Sequence, residues 1–251
     1  MMSATGQEST GDDYERYYRH DNYAFNSHII ARDESLTTTR KRHNDFDANS
    51  VVDKLVMMQK LKRYLLLSQI NLFGWLIFSS IIVSSVVLKN GGVSNFGNHY
   101  STVIFYTIAF LADITYIYLA AGSLIRLSGR FKYLARYLYT LCVILLLVYL
   151  TTFPRRFGAV FSDIHDNISE GLFVYELFLG LWLLIKRPTL ETILYLLIMV
   201  GGSLVGLLSA LHVLHLMFVG QMVGSFGFAL LFVLVLPKVV ASDLTKHRAK
   251  K

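Results

Sequence analysis

The sequence predicts an all-α fold, a polytopic membrane helix bundle with six transmembrane helices and both termini in the cytosol. Three observations carry that expectation. The 251 residues are 54% hydrophobic and 16% charged, where a soluble domain carries about 25% charged residues. Beyond residue 63 the apolar residues gather into six stretches near the length a bilayer crossing needs, about 20 residues each. Lysine and arginine then fall almost entirely into alternate connections, as retention of positive charge on the cytosolic side requires.

The chain opens on a polar head. Residues 1–63 hold ten Asp/Glu and ten Lys/Arg, and the remaining 188 hold seven and fourteen. Residues 1–50 show no sustained period of 2 or 3.6, so too little apolar area is available to offset chain entropy, and a disordered cytosolic tail is expected. Tyr14, Tyr17, Tyr18, Tyr23 and Phe25 form an aromatic cluster that suits either a protein-partner motif or an unspecialised sticky tail. Arg40-Lys41-Arg42 reads as a solvated charge run. Residues 51–63 form a basic amphipathic juxtamembrane segment, with Val52, Leu55, Val56 and Met58 on its apolar side and Lys60, Lys62 and Arg63 before the first span; such a segment suits an anionic cytosolic leaflet. The polar start shows no cleavable signal-peptide pattern. The lone Cys142 allows no intramolecular disulfide.

The body, residues 64–236, contains the predicted spans: 64–88, 102–124, 133–153, 171–185, 190–211 and 216–236. The fourth has 15 residues as written and reaches crossing length if it begins near Asp163 or Ile164. Spans five and six are separated by His212-Val213-Leu214-His215 and form a tight hairpin. Residues 237–251 are a basic cytosolic tail. With the N-terminus inside, 21 Lys/Arg lie on cytosolic segments and three (Lys89, Arg155, Arg156) on outer loops. The net charge of +7 therefore reflects orientation in a cell membrane, not nucleic-acid binding. Tyr64, Trp75, Tyr100, Tyr133, Tyr137 and Trp182 include several at span ends, as an interfacial aromatic belt would.

Gly202, Gly206 and Ala210 in span five, and Gly220 and Gly224 in span six, recur at four-residue spacing, which lets two helix backbones approach closely. Gly201-Gly202-Ser203 is similar to the serine turn of intramembrane serine proteases. However, Ser203 lacks the Gly-x-Ser-Gly context, and the nearby histidines follow it along the chain, which excludes that chemistry.

The polar groups inside apolar sequence define the candidate site. On a helix at about 100° per residue, Ser162, His165, Ser169, Leu172 and Glu176 share one face over roughly 20 Å. Asp163 and Asp166 flank this stripe at its mouth. A carboxylate at depth costs at least about 2.5 kcal/mol unless paired, neutral or hydrated, so neither Glu176 nor mid-span Asp113 should face lipid. Tyr116, Thr107 and Ser123 are the expected hydrogen-bonding neighbours of Asp113 on its own helix. Gln221 in span six completes a ligand-binding set of Asp113, Ser162, His165, Ser169, Glu176 and Gln221. Its ligand is a lipid headgroup or small polar molecule, reached from the outer face between spans two, four and six. A second reading makes Asp163, His165, Asp166, His212 and His215 a zinc site that activates water for lipid hydrolysis at the outer leaflet. A third makes the polar groups structural pairs and the protein an assembly partner acting through its tail. No residue is marked as catalytic, and no cofactor is required by the first or third reading.

Phe153-Pro154, a gap of about ten residues, then His165, Ser169 and Phe173 opening span four resembles a family of bacterial six-span membrane proteins of unknown function. That family is itself similar to the eukaryotic DRAM/Frag-type membrane proteins. The resemblance covers residues 64–236. It implies a membrane-embedded fold with a histidine at the outer end of span four, and no agreed activity. Ser169 stands where the family usually has alanine, and Arg155-Arg156 where it often has an acidic residue. The enzyme reading is similar to the seven-span lipid hydrolases resembling alkaline ceramidases, which hold zinc with Ser, Asp and three His; here there is one span fewer, and the late pair is His-x-x-His.

Overall fold

The computed structural model describes residues 52–83 and 92–248. Contacts divide the chain at Lys54, and almost all of the first unit, with its aromatic cluster and Arg40-Lys41-Arg42, lies outside the described residues, as do Lys89, Lys250 and Lys251. The second unit is all helical among the described residues, with six helices long and apolar enough to cross a membrane.

Helix α1 (Val52–Ile82) joins the juxtamembrane segment to the first span without a break. Leu61, Leu65, Ser68, Gln69, Leu76 and Ser79 are buried at three- and four-residue steps, while Ile70, Ile77 and Ile81 are exposed. This is the pattern of one helix face against protein and the other against lipid. A single turn, α2 (Asn95–Asn98), precedes α3 (Val103–Leu127). Phe96 of α2 is buried and meets Phe218 edge to face at 5.5 Å. The Thr102 hydroxyl donates to the Phe96 carbonyl at 2.9 Å and ties the turn to the start of α3.

A 3₁₀ turn (Gly129–Phe131) connects α3 to α4 (Lys132–Thr152). The two helices are joined across their faces by Tyr106 Oη and Thr152 Oγ1 at 2.9 Å, with Tyr106 fully buried. Helix α4 stops where Pro154 starts a second 3₁₀ turn (Pro154–Phe157). Proline cannot extend the hydrogen-bond ladder but fits the first position of a new turn. Gly158 follows at φ 153°, a conformation closed to residues with a Cβ.

Helix α5 (Ala159–Lys186) has 28 residues, about 42 Å at roughly 1.5 Å per residue. That exceeds the ~30 Å hydrocarbon thickness, an excess that tilt or projecting turns absorb. The fourth span thus begins several residues before the predicted Asp163, because helical hydrogen bonding continues past the edge of the apolar run. A reciprocal clasp holds α5 to α4. Tyr137 Oη donates to the Tyr175 carbonyl, Tyr175 Oη donates to the Tyr137 carbonyl at 3.1 Å, and the rings stack at 4.2 Å.

Helices α6 (Leu190–Ala210) and α7 (Met217–Leu230) form the expected hairpin. Thr189 caps α6, accepting from the Thr192 amide. The turn after α6 places His212 at φ 59°. The Val213 amide donates back to the Leu208 carbonyl and the His212 amide to that of Ser209. Those two bonds define a Schellman ending, with histidine at the left-handed position glycine usually takes. The hairpin closes on glycine. Gly202 lies against the Gly224 backbone, Gly220 against Gly206, and Gly227 against Met199. After α7 comes a π-turn (Leu231–Val235), in which the Leu236 amide donates to the Leu231 carbonyl, and then α8 (Leu236–Arg248). The π-turn sits just ahead of Pro237, whose missing N–H would interrupt the ladder in any case.

Candidate functional site

Helices α1, α3, α4, α5 and α7 line a partly open cavity of about 90 Å³. The polar groups on its wall are Gln69, Ser94, Tyr106, Asp113, His165, Ser169, Glu176, Gln221 and Ser225. The rest of the wall is apolar, with Leu141, Leu145 and Phe228 among its members. Helix α6 contributes nothing to it; its serines bond to their own helix, Ser203 donating to the Met199 carbonyl at 2.9 Å and Ser209 to that of Val205 at 2.8 Å.

Asp113 is 2% exposed. Its Oδ1 accepts from Ser68 Oγ at 2.5 Å and from Gln69 Nε2 at 3.5 Å, and Gln69 Nε2 also donates to Ser68 Oγ at 2.9 Å. The partners therefore come from α1, not from α3 as the sequence suggested. Thr107 and Ser123 donate to carbonyls of their own helix instead, those of Val103 and Leu119. Such back-bonding is the default for a threonine or serine within a helix.

On α5 the predicted stripe is present. His165, Ser169, Leu172 and Glu176 all reach the cavity. His165 is 2% exposed and is held at both ring nitrogens: Nδ1 lies 3.0 Å from Thr151 Oγ1 and Nε2 3.4 Å from Ser169 Oγ. The Thr151 hydroxyl already donates to the Leu147 carbonyl at 2.7 Å, which leaves its lone pair for an Nδ1–H and sets Nε2 as acceptor for Ser169. Glu176 is 8% exposed, and among the described residues its carboxyl group takes part in no hydrogen bond. From α7, Gln221 Oε1 accepts from the Val93 amide at 2.7 Å. That bond ties the loop before α2 across one end of the cavity.

Ser162 does not reach the cavity; its hydroxyl lies one turn above, donating to Asp166 Oδ2 at 3.3 Å. Asp163, Asp166, His212 and His215 are exposed, whereas His165 is buried. The five residues of the zinc reading are not brought together, and among the described residues no three His, Cys, Asp or Glu side chains form a group able to hold a metal ion. The sequence reading missed Gln69, Tyr106 and Ser225 on the cavity wall. Ser68-Gln69 is a polar pair inside an apolar run, and that was the available signal for α1.

A cavity of ~90 Å³ is smaller than the roughly 150 Å³ that holds a benzene ring, and its polar wall suits a few waters or a ligand of only a few heavy atoms.

No family model matches the chain, no curated protein is similar to it, and no solved structure matches it. The likeness to DRAM/Frag-type proteins therefore gains no support beyond the residues quoted for it. What the fold defines is a multi-pass α-helical membrane protein.

Proposed function

We propose that this protein is a non-enzymatic membrane protein that binds a small polar ligand in the cavity between its spans, entering from the outer face with both termini in the cytosol. One observation carries the reading. Two buried carboxylates, a histidine and several amide and hydroxyl groups from four helices and a loop converge on one cavity, which is more polar apparatus than a single stabilising pair needs. Ionisable groups within spans are costly and mark ligand or ion pathways. The volume favours the small polar ligand over the lipid headgroup. The test is mass spectrometry of small molecules retained by the full chain in nanodiscs, comparing wild type with His165→Ala and Glu176→Gln. A species held by wild type and lost from both variants supports the reading. Unchanged retention in both variants refutes it, as does the lack of any retained species together with no response of the protein's stability to added small solutes.

A further inference from the structure

The cavity wall carries two carboxylates and no lysine or arginine. Asp113 is satisfied on one oxygen only: Ser68 and Gln69 both approach Oδ1, and among the described residues no hydrogen bond to Oδ2 is formed. Glu176 is more than nine-tenths buried and takes part in no hydrogen bond with the described residues. His165, the one other titratable group of α5 on the wall, is engaged at both nitrogens by neutral hydroxyls of Thr151 and Ser169. The remaining elements present Gln221 and Ser225 from α7, Ser94 from the loop and Tyr106 from α3, all uncharged. Among the described residues the two carboxylates face the cavity without a lysine or arginine on its wall, and an uncompensated charge there is strongly unfavourable. A proton, water or a bound cation can compensate them.

We infer that the cavity is a binding site for one small monovalent cation, an alkali-metal or ammonium-type ion, held between Glu176 and Asp113. This rests on the cavity reading above and names its ligand class. One cation together with one proton neutralises the two acids. The amide oxygen of Gln69 and the hydroxyls of Ser169 and Ser225 supply further oxygen contacts of the kind hard cations take. Asp113, pinned by α1, is the fixed wall of the site, and Glu176, without a partner, is the group free to turn toward the ion. The volume suits ammonium or methylammonium better than choline with its full methyl shell.

The experiment is thermal unfolding of the full chain in nanodiscs at constant ionic strength, with N-methylglucamine as the background cation. Sodium, potassium, ammonium, methylammonium and choline are titrated in separately. A saturable rise in Tm with at least one of the first four and none with choline is expected. Glu176→Gln should weaken the apparent affinity by about tenfold or more, as loss of a buried charge partner does. Asp113→Asn, which keeps an acceptor for Ser68, should do the same while folding normally. The inference is overturned if Tm is indifferent to cation identity, or if the response survives in both variants. A neutral or anionic solute retained in nanodiscs in a Glu176-dependent way, with no cation response, overturns the cation inference and leaves the cavity reading standing. No retained solute and no cation response overturn both.

Discussion

Placing one methyl group at Gly202 tests how the last hairpin is held. A Cβ there would overlap the Gly224 amide nitrogen and lie 2.7 Å from both the Gly224 Cα and the Val223 carbonyl carbon. These atoms belong to a helix backbone and cannot rotate away, so α6 and α7 would have to separate. Overpacking of this kind costs about 1–3 kcal/mol, and the rigid obstacle places Gly202→Ala near ~3 kcal/mol. Replacing a mid-helix glycine by alanine returns about 1 kcal/mol through backbone entropy. The net loss is therefore about 2 kcal/mol, roughly a 30-fold shift in the folding equilibrium. That corresponds to about 4–8 °C in Tm for a chain of this size. Two controls sit beside it. Gly201 has open space around a would-be Cβ, and Gly206 has its nearest neighbour at 3.9 Å, an ordinary contact. Both alanine variants should keep or exceed wild-type stability in equilibrium unfolding in mixed micelles. If Gly202→Ala unfolds with Gly201→Ala instead of well below it, backbone contact does not hold the hairpin and the packing argument is wrong.

Three further outcomes follow from particular contacts. Asp113→Leu should destabilise by about 1–3 kcal/mol, because Ser68 and Gln69 lose their acceptor in a buried setting, whereas Asp113→Asn should stay near wild type; equal losses in denaturant titration would show that the α1–α3 bond is not what Asp113 provides. His212→Gly should be neutral to about 0.5 kcal/mol stabilising, and His212→Val should cost about 1–2 kcal/mol, since the left-handed position penalises a Cβ and most of all a branched one; a large loss for glycine would mean the imidazole itself matters. In a Cys142→Ala background, an impermeant maleimide should label His215→Cys in intact cells and Lys238→Cys only after lysis; labelling of Lys238→Cys from outside would invert the assigned orientation.

The six crossings were legible because length and apolarity are local properties, and five of the six stretches show both while the fourth shows apolarity and needed extension for length. Helix ends were not. Helix α1 starts at Val52 and α5 at Ala159, since hydrogen bonding carries a helix through polar residues that hydropathy treats as loop. The stripe of His165, Ser169 and Glu176 was legible for the same local reason: spacing fixes which residues share a face of one helix. The partners of Asp113 were not, because which helix lies beside α3 depends on packing, and nothing in the spacing around Asp113 points to Ser68. Ser162 met the face criterion and still misses the cavity, because the stripe is longer than the space it borders. The zinc reading grouped residues by type, and the fold leaves His212 and His215 exposed at the turn between α6 and α7 while it buries His165.

The π-turn at Leu231–Val235 has a consequence for how much change the sixth span can absorb. A turn closed by i to i+5 bonds holds one residue more than an α-turn, which rotates everything after it by about 100° relative to everything before. Above it, Gly220, Gly224 and Gly227 address α6, and below it Leu236, Val239 and Val240 are buried in the core. Each half therefore shows its neighbours the correct side only while that extra residue is present. Substitutions along the turn leave the count intact, but loss of a single codon between 231 and 235 would swing the glycines or the valines toward lipid. The reading frame of the span's surface is set there, and a one-residue deletion should be far less tolerated than most point changes within the same five positions.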